Sequence, residues 1–160
     1  MQLPLLRRSR RPEQGMTLLE LIIACGILMV LASAALPVAR MSIRRQKETE
    51  MRRALREVRT AIDRYKDLAD RNLIQVELGT EGYPPDLETL VNGVTLAGGP
   101  GRKIRFLRKV PIDPLTGQTD WGLRCVQDDP DSRSWCGTNV FDVYSKSQGT
   151  ALDGTRYADW

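Results

Sequence analysis

The chain has 160 residues, enough for one domain or for a small domain with an extension. Its 24 basic and 20 acidic residues leave a net charge of +4, with three cysteines and no histidine. Without histidine or a CxxC pair the common zinc sites are excluded. With no G-x-S-x-G, no phosphate loop and no nucleophile–base pair, the sequence reads as a non-enzyme. Charge is unevenly spread. The first 15 residues hold four arginines against one glutamate, residues 40–71 eleven basic against six acidic, and residues 72–160 nine basic against twelve acidic. The pattern predicts a basic leader, an apolar span, a basic middle and a mildly acidic end.

Arg7, Arg8, Arg10 and Arg11 open the chain, followed by EQGMTLLELIIACGILMVLASAALPVAR at 13–40. Residues 21–39 are uncharged, about 28 Å as a helix, which matches the hydrocarbon core of a bilayer. A membrane span is therefore expected. An ordinary secretory signal does not fit, because the small residue suited to cleavage, Gly15, precedes the apolar run and no clean A-x-A site follows it. Glu20 stands near the start of this run, where a charge in lipid costs about 2.5 to 3.5 kcal/mol. Arg40, Arg44, Arg45 and Lys47 follow the span, so the positive-inside count does not choose an orientation.

Gly15, Met16, Thr17, Leu18, Leu19 and Glu20, behind a leader of arginines, resemble the class III signal of type IV pilins and type II secretion pseudopilins. The resemblance implies that a prepilin peptidase cuts between Gly15 and Met16 on the cytoplasmic face and N-methylates Met16. It implies a cleaved leader at 1–15 and a filament-core helix at 16–39, held in the inner membrane by a single pass, with the remainder in the periplasm. Cleavage puts an α-amine on Met16, and in a stack of helices Glu20 of one copy neutralises that amine on the next, a pairing that low dielectric strengthens. The helix dipole also favours a carboxylate in the first turns.

Pro37 near the end of the span predicts a kink. In MRRALREVRTAIDRYKDLAD, Met51, Leu55, Val58, Ile62, Tyr65 and Ala69 recur every three or four residues, one apolar stripe on a charged helix. A stalk helix is expected over 40–72, and one long helix over about 17–71. Acids interleave with the bases and no stacking aromatics accompany them, so the charges read as a solvated face and not as a nucleic-acid site. A basic stalk could also meet the acidic head of another copy, which predicts salt-sensitive assembly.

Residues 73–160 should form a small α+β head. EGYPPDLETLVNG predicts a short helix capped by Asp86 and ended by Gly93. KIRFLRKVPIDP, TDWGLRCV and TNVFDVYS have strand composition, with Ile104 and Phe106, then Trp121, Leu123 and Cys125, alternating as a one-sided sheet requires. The expected fold is a three-stranded antiparallel sheet laid over the stripe of the stalk. If this part lies outside the cytoplasm, Cys125 and Cys136 pair as a disulfide; otherwise they are two thiols. DDPDS at 128–132 reads as a surface loop.

LRKVPIDPLTGQTDWGLR and DVYSKSQGTALDGTRYADW resemble the C-terminal half of major pseudopilins of type II secretion, the G type. That resemblance implies a homopolymer working with minor pseudopilins, an inner-membrane assembly platform and its ATPase to export folded proteins through an outer-membrane secretin. It also implies calcium in the terminal loop, with Gln148, Asp153 and Asp159 and backbone oxygens near Lys146 and Thr150 as ligands. Gln148 stands where the family often has aspartate, so one negative charge is missing. The runner-up is a type IV pilin or minor pilin for adhesion, motility or DNA uptake, which shares the N-terminus.

Overall fold

The computed structural model describes residues 15–98 and 101–160. Two units separate along the chain, Met1–Met41 and Ser42–Trp160. Helix α1, Leu18–Asp70, is the longest element and carries Pro37 in its interior. In the first unit its surface is apolar in every direction: Leu19, Ile23, Ile27, Val30 and Leu31 are all more than half exposed. A helix apolar around its whole circumference is suited to lipid or to a bundle of similar helices. Among the described residues it is the one helix long and apolar enough to cross a membrane.

In the second unit α1 is amphipathic. Met51, Leu55, Val58, Ile62, Tyr65 and Ala69 are buried, joined by Ala54 and Ala61, and they form one core with Leu90, Leu107, Trp121, Val140 and Val143. Burying each large side chain contributes about 1.5 to 3 kcal/mol, so this stripe is what attaches the head to its helix. Helix α2, Leu87–Asn92, starts where Asp86 Oδ1 accepts the Thr89 amide at 2.6 Å. It stops at Gly93, whose φ of 79° suits glycine and where a Cβ would lie 2.4 Å from the Ile104 carbonyl oxygen.

The expected three-stranded sheet is instead two separate two-stranded antiparallel sheets. Strand β1, Val94–Thr95, pairs with β2, Lys103–Ile104, and Ile74 bridges to Leu96 beside them. Strand β3, Gly122–Arg124, pairs with β4, Asp142–Tyr144, in the register Gly122↔Tyr144, Leu123↔Val143 and Arg124↔Asp142. KIRFLRKVPIDP supplies only two strand residues for a local reason. The Phe106 and Leu107 amides both donate to the Leu90 carbonyl, at 2.9 and 3.0 Å, which draws the chain onto α2 and away from the second sheet.

The alternation expected around Trp121 also fails across β3, where Leu123 is only half-buried and Gly122 and Arg124 are buried. Trp121 and Cys125 are buried, but so is Arg124, at 8% exposure. Arg124 is kept inside by the Tyr144 ring, 4.4 Å away, and by the Ser132 and Ala158 carbonyls, which accept from it. Tyr144 in turn needs Gly122 opposite, since a Cβ there would sit 2.2 Å from the ring.

Candidate functional site: the start of the apolar helix and the joints of the head

The arginine leader lies outside the described residues, which begin at Gly15. Gly15, Met16 and Thr17 are non-helical and exposed, and a Cβ on Gly15 would meet nothing within 4 Å. The helix then starts under a side-chain cap: the Glu20 amide donates to Thr17 Oγ1 at 3.2 Å. This is the forward half of a capping box, Thr-x-x-Glu, and the spacing T17-L-L-E20 spells it in the sequence. Glu20 is thereby fixed in the first turn, exposed, where the dipole favours its charge. An accessible peptide bond after Gly15 and a carboxylate at the fifth residue beyond it thus occur on one short segment.

In the head the geometry gathers groups that sequence reasoning passed over. Asp113, from the turn PIDP, is fully buried. Its carboxylate accepts from Ser145 Oγ at 2.6 Å and from the Leu115 amide at 2.8 Å, and its backbone amide donates to Gln118 O. Trp121 Nε1 donates to the Pro111 carbonyl of the same turn at 2.9 Å. Arg59 on α1 reaches across to β4, with two contacts to the Asp142 carboxylate at 2.6 and 3.2 Å. The same guanidinium donates to the backbone oxygens of Val143 and Trp160. Ser145 lies 32 residues from Asp113 and Asp142 lies 83 from Arg59, so no local pattern announces these two contacts.

Cys125 and Cys136 are joined by a disulfide with Cα atoms 6.0 Å apart. Together with Asp128 they place three ligand-type atoms within 4.8 Å of one another. That cluster does not fit a metal, because the two sulfurs are bonded to each other and Asp128 Oδ2 accepts the Cys125 amide at 2.8 Å. Cys25, in the apolar helix, is exposed.

The residues expected to hold calcium are otherwise engaged. Asp153 Oδ1 accepts the Thr155 amide at 3.0 Å and the Thr155 hydroxyl at 2.6 Å, and its Oδ2 faces Arg52 at 3.5 Å. These hydrogen bonds, from the Thr155 side chain first and its backbone second, hold the Asp153 carboxyl below its ordinary range, with Arg52 adding to the effect. Asp159 is paired with Arg156 at 3.0 Å and Arg133 at 3.4 Å. The Thr150 carbonyl accepts from Arg44, and Gln148 is exposed. Calcium needs several hard oxygens turned to one point, and this donor set faces guanidinium groups instead. The residues present do not fit the ion.

Comparison with known proteins bears on the N-terminal segment alone. Residues 10–36 match the family model described as the prokaryotic N-terminal methylation motif. No curated protein and no solved structure gives a significant match. The matched residues span the cap, Glu20 and most of the apolar helix, and they carry a prepilin-type signal, which implies processing by a prepilin peptidase. Motif and apolar helix together support a single-pass membrane anchor and a type IV pilin-like protein, a subunit of a pilus or pseudopilus.

Proposed function

We propose that the chain is a structural subunit of a type II secretion pseudopilus, of the major, G type. It polymerises in the inner membrane and drives folded proteins through an outer-membrane secretin. The observation that carries this reading is the carboxylate of Glu20, held by a capped helix start at the fifth residue after an accessible Gly15. Cleavage there leaves a basic amine on Met16, which methylation does not neutralise. In a stack of apolar helices, Glu20 of one copy meets the Met16 amine of the next, and removal from water strengthens the pair while penalising either charge alone. Register between copies follows from that pairing.

The small head, with its PIDP turn and Gly/Asp-rich ending, favours secretion over adhesion or DNA uptake, and the reading assigns no catalysis to the chain. The disulfide supports an oxidising compartment for the head, the periplasm. Partners on this reading are further copies, minor pseudopilins, the prepilin peptidase, and the assembly platform with its ATPase. Deletion of the gene tests the choice. Loss of exoprotein secretion is expected, whereas loss of motility or transformation with secretion intact selects the type IV pilin alternative. Mass spectrometry of the mature protein should give an N-terminus at Met16, and a different terminus rejects the processing.

A further inference from the structure

Residues 149–159, GTALDGTRYAD, close on themselves through a Thr150↔Arg156 bridge and an Ala151 amide donating to Thr155 O at 2.7 Å. What ties this loop to α1 is a set of arginine and glutamate contacts. Arg44 donates to the Thr150 carbonyl and, at 3.4 Å, to the Tyr157 hydroxyl. Glu48 Oε1 accepts both the Leu152 amide and the Tyr157 hydroxyl at 2.9 Å. Arg52 faces Asp153 and lies 4.2 Å over the Trp160 ring, whose Nε1 donates to Thr155 Oγ1 at 2.7 Å. Arg133 and Arg156 hold Asp159.

The Thr150 carbonyl, Glu48 Oε1 and the carboxylates of Asp153 and Asp159 thus already meet donors. Four guanidinium groups, Arg44, Arg52, Arg133 and Arg156, stand around three carboxylates, Glu48, Asp153 and Asp159. These side chains sum to one positive charge, so they offer a dication no net attraction. A guanidinium offers several directed N–H donors and a charge that does not titrate, so it can satisfy backbone carbonyls and carboxylates together as a bound ion would.

We propose that in this protein arginine side chains replace a divalent cation in the terminal loop, so that the loop is ordered without calcium and depends instead on Arg44, Glu48 and Arg52. The head then keeps its fold where calcium is scarce. The inference concerns the head alone, and its test uses no filament, so it stands or fails separately from the assembly reading.

The experiment is amide hydrogen exchange on the full chain in detergent micelles, in excess EGTA and in millimolar calcium. Protection of the Ala151, Leu152 and Tyr157 amides should be the same within about twofold in the two conditions. Glu48→Ala, which removes the acceptor of the Leu152 amide, should speed its exchange by about tenfold, a loss of roughly one hydrogen bond, and Arg44→Gln should speed it in the same direction by freeing the Thr150 end of the loop, both equally with and without calcium. Protection that collapses in EGTA and returns with calcium in the unaltered protein overturns the proposal and needs no variant. So does unchanged protection in both variants.

Discussion

Asp113 shows how much one side chain can hold in this head. Its buried carboxylate takes a hydroxyl donor from Ser145 and an amide donor from Leu115. Asp113→Ala leaves the buried Ser145 hydroxyl unpaired in the interior, at about 1 to 3 kcal/mol, and takes its acceptor from the half-buried Leu115 amide. A fall in thermal midpoint of several degrees is expected, read from the fluorescence of Trp121, which is tied to the same turn. Asp153 gives the pH counterpart. Its folded-state pKa is depressed by Thr155 and Arg52, so its contribution is fully present above the ordinary carboxylate range. That contribution is lost as pH falls through the depressed value. The protection factor of the Thr155 amide, taken against its intrinsic rate at each pH, should therefore fall in acid below the ordinary carboxylate pKa, and Asp153→Asn should abolish that fall.

For the short elements, caps and glycines decide where structure starts and stops, and these were readable in advance. Asp86 and Gly93 bracket α2 because a side-chain acceptor three residues before an amide, and a residue free to take positive φ, are local features. The apolar stripe of α1 was equally legible, since its period of three to four is set by helix geometry alone. Strand pairing was not. With strands of two and three residues, position is decided by remote contacts such as those to Leu90 O, and alternation over so few residues carries little information. Arg59, Asp113 and Arg124 escaped for the same reason. Of the N-terminal site, Gly15, Met16 and Glu20 fall within six consecutive residues, and the Thr17 cap is legible in the same stretch as Thr-x-x-Glu. Gly122→Ala must displace the Tyr144 ring and should cost about 1 to 3 kcal/mol in chemical denaturation. Replacing Cys125 and Cys136 by serine should lower stability by roughly 3 kcal/mol in the chain-entropy account.

At the scale of the molecule, charge is segregated in a way that bears on assembly. Arg53, Arg56 and Arg64 of α1, with Arg105 and Arg108, line two neighbouring grooves beside Phe106 and outnumber the Glu57, Asp63 and Asp67 carboxylates that line them too, and among the described residues none of the five arginines forms an ion pair. On the polymer reading, this basic surface receives the acidic part of another copy, for which the loop of Asp129 and Asp131 is exposed. Arg53→Glu with Arg56→Glu should reduce filament yield several-fold, while the thermal midpoint of the detergent-solubilised monomer stays within a degree or two. Added salt should weaken assembly of the unaltered protein in the same direction. Glu20→Ala should be inserted and cleaved normally yet polymerise poorly, seen as shear-released filaments on a blot; normal filaments from that variant would remove the assembly role of Glu20.

The bridge between Cys125 and Cys136 has a further use. On the pseudopilus reading, copies whose heads have crossed into an oxidising space keep one free thiol, Cys25, while copies stalled in the reducing cytosol keep three. Maleimide tagging of whole cells, resolved by mass, would therefore count delivered against stranded subunits directly, since each molecule carries a chemical stamp of the side it has reached.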